Sequence, residues 1–113
     1  MRTQLPPPSN PGASADAVCY DNAGRSGEGR RIRVACYLSH AATFKVGWYA
    51  PGDTDERLVN GGGAGEAIAA TTWFMRSVLI LPGRTKIYIT TGTAPTTWEV
   101  AVDQVNDTGA LEL

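Results

Sequence analysis

Two segments of the chain alternate regularly between apolar and polar side chains. From Arg30 to Leu38, and again from Thr43 to Tyr49, apolar residues occupy nearly every second position. A period of two is typical of a β-strand that buries one face and exposes the other to water. Because residues 39–42 leave only a short connection between these two predicted strands, we expect them to form an antiparallel hairpin.

The longest apolar region runs from Thr71 to Val105 and reads TTWFMRSVLILPGRTKIYITTGTAPTTWEVAVDQV. Pro82-Gly83 and the segment from Gly92 to Pro95 divide it into three runs, which we predict to be strands because proline and glycine favour turns. The first run, Trp73 to Leu81, is apolar on both faces apart from Arg76 and Ser77. Such a strand is typically central in a sheet or covered on both sides, here by a second subunit.

The shorter elements complete an all-β pattern. Residues 56–59 suit a short strand, residues 66–70 suit a strand or loop, and the glycine-rich segment between them is predicted to be a loop. Parallel sheets would need crossover helices, for which the chain leaves no room. We therefore predict an all-β fold, a single antiparallel β-sandwich that is jelly-roll-like or immunoglobulin-like, with about six or seven strands.

The length of 113 residues predicts one domain. Residues 1–17 hold most of the prolines, including Pro6, Pro7 and Pro8, and predict an extended arm in the polyproline II conformation. This arm is either a disordered tail or a segment that becomes ordered only against a neighbouring subunit. The predicted organisation is an arm at 1–17, a sandwich domain at 18–106 and a C-terminal tail at 107–113.

The charge and hydropathy of the chain argue against several classes of partner. A formal net charge of −1 is unlike the basic excess of proteins that bind nucleic acid or membrane surfaces, so we expect neither partner. No apolar run approaches the roughly 18 residues of a membrane span. The N-terminal residues lack the apolar core of a signal peptide, which predicts that the protein is not secreted.

The two cysteines, Cys19 and Cys36, are too few for a disulfide scaffold. Together with the single histidine, His40, they also fall short of a zinc site. We expect reduced thiols, with Cys36 buried as a small apolar side chain, while a Cys19–Cys36 bridge stays possible. No metal and no cofactor are predicted.

No catalytic arrangement emerges from the sequence. His40 directly follows Ser39, but adjacency in sequence does not make a catalytic triad, and we interpret His40 as an ordinary loop residue. The acidic segment from Asp53 to Glu56 lacks the further ligands of a calcium loop and is interpreted as a solvated turn. The glycine-rich segment is not followed by the lysine of a phosphate loop. We therefore predict that the protein is not an enzyme.

The residues that we predict to form a partner-binding surface are basic residues, aromatic residues and prolines of the arm. Four arginines with one glutamate make a local basic patch within residues 25–33, which is more typical of a solvated face or a protein contact than of nucleic acid binding. Outward aromatic side chains are typical of interfaces. The predicted partner-binding residues are Pro6, Pro7, Pro8, Arg31, Arg33, Tyr37, Trp73 and Tyr88.

The segments VLILPG at residues 78–83 and IYITTG at residues 87–92 resemble small β-sandwich virion proteins of tailed bacteriophages. These include head decoration or cement proteins and related spike-base modules. The resemblance implies a structural protein on the capsid exterior, often trimeric, that binds the major capsid protein and stabilises the head, with an extended terminus that ties capsomers together. The alternative hypothesis is a carbohydrate- or receptor-binding module of a phage tail or spike.

Overall fold

A computed structural model describes residues 2–23 and 29–106. These residues form nine β-strands and a short 3-10 turn at Gly61–Gly63. The strands are β1 (Arg2–Leu5), β2 (Asp16–Asp21), β3 (Arg30–Leu38), β4 (Ala42–Tyr49), β5 (Arg57–Leu58), β6 (Glu66–Ile68), β7 (Phe74–Leu79), β8 (Arg84–Thr91) and β9 (Trp98–Asn106). The predicted C-terminal tail lies outside the described residues.

The strands form two antiparallel sheets that pack face to face. A four-stranded sheet has the order β1-β9-β3-β7, and a five-stranded sheet has the order β2-β8-β4-β5 with β6 also paired to β4. The buried apolar side chains of both sheets meet in one core, and the largest fully buried ones are Phe44, Ile32, Leu38, Ile68, Ile80, Ile87 and Ile89. The predicted all-β sandwich is confirmed.

The strand order is that of a jelly roll. β1 pairs with β9, β2 with β8, β3 with β7, and β4 with both β5 and β6, so the first half of the chain pairs with the second half in reverse order. This is one long hairpin. Rolling it up adds the pairs β3–β9 and β4–β8, which close the two sheets.

The predicted hairpin between the strands at 30–38 and 43–49 is wrong. β3 lies in the four-stranded sheet and β4 in the five-stranded sheet, so residues 39–41 cross from one sheet to the other. The physical reason is the core: the inward side chains of β3, such as Val34, and of β4, such as Phe44, are both fully buried and pack in the same cluster. A short connection is therefore compatible with a crossing between two sheets as well as with a hairpin turn within one sheet.

The two-faced apolar run at 73–81 is not a central strand. Its strand, β7, pairs with β3 on one side and ends the four-stranded sheet, so the prediction of a central position is wrong. Phe74 and Ile80 are buried in the core, whereas Met75 and Leu79 are exposed on the opposite face. Coverage of that face by a second subunit stays a prediction.

Both cysteines lie in the core as free thiols, as expected. Burial, with a smaller contribution from the neighbouring Cys36, raises the pKa of the Cys19 thiol to about 12. Burial raises the pKa of Cys36 to about 11. Both groups are therefore protonated at neutral pH and pack as small apolar side chains.

The N-terminal segment lies along its own sandwich. β1 forms the edge of the four-stranded sheet beside β9. Beyond β1, the Pro8 carbonyl accepts a hydrogen bond of 2.9 Å from Trp98 Nε1, and Asn10 Nδ2 donates to the Pro95 carbonyl at 2.8 Å. β2 begins at Asp16, so the boundary predicted at residue 17 falls inside a strand.

Candidate functional site

The outer face of the four-stranded sheet brings together several predicted partner-binding residues. Arg31, Arg33 and Tyr37 alternate along β3 with the buried positions of that strand and therefore point away from the core. Trp73, which immediately precedes β7, packs against Tyr37 with ring centroids 5.5 Å apart and ring planes tilted by 50°. We call this surface the outer face.

A concavity of about 440 Å³ lies in the outer face. Small side chains form its floor, since Ala35 of β3 sits opposite Ala101 of β9 in the strand register. Met75 is the register partner of Ala35 on the other side and supplies an apolar wall. The full lining is Gln4, Arg33, Val34, Ala35, Met75, Arg76, Ser77, Ala101, Val102 and Asp103.

The polar wall of the concavity is an ion pair. Arg33 donates two hydrogen bonds to the Asp103 carboxylate, from Nε to Oδ1 and from Nη2 to Oδ2, each 2.8 Å long. The hydrogen bond to Asp103 raises the pKa of Arg33. Such bidentate geometry holds the guanidinium in one place, so Arg33 belongs to a fixed wall of the site. This pairing reduces the local basic patch; Arg25 and Glu28 of that patch lie outside the described residues.

The exposed apolar surface is concentrated along β7 and its flanks. Trp73, Met75, Leu79 and Leu81 are 59%, 66%, 42% and 52% exposed, respectively. Their positions differ by even numbers of residues, so they lie on the same side of the strand, which is the outer face. Large apolar side chains clustered in this way mark contact surfaces more often than single exposed ones do.

Tyr88 is not part of this surface. It lies on β8 in the five-stranded sheet and is only 6% exposed, so the prediction that it is an outward aromatic available to a partner is wrong in that respect. Its hydroxyl donates a 3.0 Å hydrogen bond to Glu56 Oε1, and Lys45 and Lys86 lie near its ring. Alternation along β8 predicts that Tyr88 faces solvent, but the glutamate and the two lysines cover its side chain.

The hydroxyl of Tyr88 should titrate late. Burial, and then the hydrogen bond to Glu56, raise its pKa to about 12. Because the folded pKa exceeds the usual value near 10, this group stabilises the fold fully below about pH 10, and the contribution is lost as pH rises towards 12. Burial raises the pKa of Tyr20 as well, so ultraviolet absorbance titration should show late tyrosines of which Glu56→Gln lowers the pKa of Tyr88 alone, since only Tyr88 has Glu56 as its hydrogen-bond partner at 3.0 Å.

Glu99→Gln is the matched control, because Glu99 is an exposed carboxylate in the other sheet. It should leave the pKa of Tyr88 unchanged. The assignment is contradicted when all tyrosines of the folded protein ionise together near their usual pKa.

The predicted arm residues are only partly available. Pro6 and Pro7 are exposed, whereas Pro8 is half-buried and its carbonyl accepts the hydrogen bond from Trp98. The prolines therefore follow the sandwich at the end of β1, where their missing N–H groups are outside the ladder. Their contact with a neighbouring subunit stays a prediction.

Ser39 has a structural role that the sequence did not reveal. Its Oγ accepts hydrogen bonds from the backbone N–H groups of Thr96 and Thr97 at 2.8 and 3.0 Å. It also contacts His40 Nδ1 at 3.0 Å. The two amides are thereby bound to Ser39, and the hydroxyl fixes the turn that leads into β9.

The acidic segment after β4 is a turn with internal bonds. Asp53 accepts a hydrogen bond from the Asp55 N–H at 3.0 Å and pairs with Arg57 at 3.0 Å. Among the residues that the structure describes, no group of three or more histidine, cysteine or acidic side chains is placed to hold a metal ion. In the same residues, no helix is long and apolar enough to cross a membrane.

The sequence did not single out the small side chains on the floor of the concavity. Ala35 and Ala101 are far apart in the sequence and become neighbours only because β3 pairs with β9. Outward alternation placed each alanine on a solvent face, but strand order was needed to place them side by side. An alanine in an outward strand position was therefore the only signal available.

Comparisons with known proteins identify a similar fold. No family model and no curated protein sequence matches the chain. Among solved structures, the fold is similar to that of the PBSX exported protein XepA, with a TM-score of 0.58 and 13% sequence identity. The match covers 92% of this chain and 36% of the other, so this chain spans about a third of the length of XepA.

Proposed function

We propose that this protein is a non-enzymatic structural protein of a bacteriophage particle, which attaches to the capsid exterior by binding the major capsid protein through the outer face. The observation that carries the proposal is the outer face itself, which combines a shallow concavity with a row of exposed apolar side chains. The fold similarity to a phage exported protein supports a phage-related origin.

The chemistry of the outer face suits a protein partner. Its centre is lined by small apolar side chains, Ala35 and Ala101, and its border carries the Arg33–Asp103 ion pair. An apolar centre with a polar border is the usual composition of a protein interface. The exposed Trp73, packed against Tyr37, supplies the kind of aromatic anchor that often dominates binding energy.

Filling the concavity should block attachment. Ala101→Glu places a longer, charged side chain on the floor from an exposed position, so it disturbs binding without entering the core. We expect at least roughly tenfold weaker binding, since burying an unpaired carboxylate costs more than about 1.4 kcal/mol. The assay is co-sedimentation of the purified protein with phage heads assembled from the major capsid protein alone.

Val18→Glu is the matched control, because Val18 is exposed on β2, in the other sheet. It adds the same charge and should bind heads as the unchanged protein does. Equal binding by the Ala101→Glu and unchanged proteins would exclude the outer face as the attachment surface. Failure of the unchanged protein to bind heads would remove the capsid proposal altogether.

A second candidate function is glycan binding at the Tyr37–Trp73 pair, which the exposure of Trp73 favours. Against it stands the 50° tilt between the rings, since they do not form one flat platform for a sugar. A glycan array comparing the unchanged protein with Trp73→Ala separates the two functions. Signal that is present in the first and lost in the second would favour the glycan candidate.

A further inference from the structure

We infer that the outward edge of β7 is a self-recognition site, at which two copies of this chain pair antiparallel about a twofold axis through Ser77. The inference concerns the isolated protein and does not rest on the proposed function. Four observations carry it: the open edge of β7, the orientation of its backbone groups, the symmetry of its exposed side chains and the neutralisation of its only charge.

The edge of β7 is open. Within residues 2–23 and 29–106, β7 pairs with β3 alone and terminates the four-stranded sheet. An exposed strand edge carries a row of backbone donors and acceptors that can pair with a further strand. Proteins usually blunt such an edge with charges, prolines or short length, whereas this strand has six residues and no proline.

The backbone orientation identifies the groups that face outward. The Ile80 N–H donates to the Arg30 carbonyl at 2.9 Å, and the Ile80 carbonyl accepts from the Gly29 N–H at 3.1 Å, so the backbone groups of Ile80 point towards β3. Orientation alternates along a strand. The backbone N–H and C=O groups of Met75, Ser77 and Leu79 therefore point to the open edge.

The exposed side chains are symmetric about Ser77. In an antiparallel pair centred on this residue, Met75 of each copy lies opposite Leu79 of the other, because both are two positions from the centre. Trp73 likewise lies opposite Leu81, four positions away on either side. All four of the exposed apolar side chains on this strand and its flanks then gain an apolar partner across the junction.

Other registers lose this match. A centre at Arg76 puts Met75 opposite Ser77 and leaves Leu81 without an apolar partner. A centre at Val78 puts Leu79 opposite Ser77 and leaves Trp73 without one. A centre between two residues would place outward side chains opposite inward ones. The centre at Ser77 also sets the outward N–H and C=O groups of Ser77 in the two copies directly opposite each other, so the twofold axis passes through a hydrogen-bonded pair.

The charge on β7 is already neutralised within the chain. Arg76 pairs with the Glu66 carboxylate on β6, stacks its guanidinium 4.3 Å from the Phe74 ring centroid, and donates to the Met75 carbonyl at 2.7 Å. A carbonyl has two acceptor sites, so the Met75 carbonyl can keep this bond while accepting another. A second copy therefore meets no unpaired charge on this strand.

The joined sheet would have eight strands and would carry the outer faces of two copies side by side. The self-symmetric row favours a second copy of this chain over an unrelated extended peptide, which would have no reason to match it. A twofold pair also differs from the trimer that the resemblance to decoration proteins implies.

The test is the native mass by light scattering over a wide concentration range. We expect the unchanged protein to be a dimer and Ser77→Pro to dimerise at least roughly tenfold more weakly, since proline removes an N–H that faces only the open edge. Ser77→Thr keeps that N–H and is the matched control, with an expected mass like that of the unchanged protein. Circular dichroism confirms that each variant is folded.

A charge exchange tests the register directly. Because residue 77 lies opposite itself, Ser77→Lys alone and Ser77→Glu alone should each be monomeric, whereas their equimolar mixture should form a heterodimer. A monomeric or trimeric unchanged protein at every concentration overturns the inference. So does a dimer that Ser77→Pro leaves intact, or an equimolar mixture of the two charged variants that stays monomeric.

Discussion

Phe44→Ala should lower the free energy of unfolding by about 3–5 kcal/mol, which is the usual cost of removing a buried phenylalanine side chain. Phe44 is fully buried in β4 and its ring lies 5.3 Å from that of Phe74, which belongs to the other sheet. The substitution therefore opens a cavity between the two layers and removes an aromatic contact that joins them. Since small domains are stable by about 5–15 kcal/mol, a large part of the total would be lost.

Chemical denaturation followed by tryptophan fluorescence measures this loss. Val18→Ala is the control, because it shortens an exposed apolar side chain in the same sheet, and its effect should stay within about 0.5–1 kcal/mol. A loss below about 1 kcal/mol for Phe44→Ala would mean that the two sheets do not depend on this contact.

Deletion of residues 2–14 should destabilise the fold by roughly 2–4 kcal/mol. The segment supplies the Pro8 carbonyl bonded to Trp98, the Asn10 amide bonded to Pro95, and the Gly12 carbonyl that accepts from Thr91 Oγ1 at 2.6 Å. Each such hydrogen bond contributes about 1 kcal/mol net. Loss of β1 also uncovers the edge of β9.

The same denaturation experiment applies, with Trp98→Phe as a partial variant that removes the indole donor, keeps a smaller aromatic ring and should cost at least about 1 kcal/mol. The outcome separates the two roles of the arm. An unchanged free energy of unfolding after the deletion would mean that the segment contributes nothing to its own sandwich and is free to reach a neighbour. A clear loss would mean that the arm is first a part of this domain.

Side-chain alternation predicted individual strands well because it depends only on neighbours in the sequence. β3 spans Arg30–Leu38, as predicted, and the strand predicted from Thr43 begins one residue earlier, at Ala42. The turn predicted at Pro82-Gly83 is also present, since Gly83 has a φ of 109° and lies too close to the Tyr49 carbonyl to accept a Cβ. Local chemistry determines each of these features.

Strand pairing was not predictable in the same way. The sheets are built from pairs far apart in sequence, such as β3 with β9, whose identity depends on how the whole hairpin rolls. β1 was missed because RTQL has a single large apolar side chain, and β2, DAVCYD, was missed because the predicted end of the arm at residue 17 divides it. The edge position of β7 was hidden because an exposed apolar side chain and a buried one look alike in a sequence.

Two asparagines show how side chains replace missing strand bonds. Asn22 donates from Nδ2 to the Gly83 carbonyl and accepts at Oδ1 from the Thr85 N–H. Asn60 similarly donates to the Phe44 carbonyl and accepts from the Val46 N–H. Each amide imitates a peptide group and continues a ladder where the chain has turned away. A sequence shows such residues only as loop asparagines.

The candidate site was predicted in part. Four of the predicted residues do share one face: Arg31, Arg33, Tyr37 and Trp73. Alternation along β3 points the first three outward, and the pairing of β7 with β3 brings Trp73 against Tyr37. Tyr88 does not join them, since side chains from neighbouring segments cover it. The concavity could not be predicted from the sequence. It forms because two small side chains, Ala35 and Ala101, lie side by side, and only the pairing of β3 with β9 makes them neighbours.

The rolled hairpin also determines where the two ends of the sandwich lie. Arg2 and Val105 are register partners in β1 and β9, and antiparallel partners have Cα atoms about 4.5–5.5 Å apart. A peptide grafted at residue 2 or residue 105 would therefore project from one corner of the sandwich, and a short linker would suffice to join these two positions in a circular permutant of residues 2–105. The domain could equally be inserted into a loop of a host polypeptide without forcing the flanking segments apart, which makes it a compact scaffold for display.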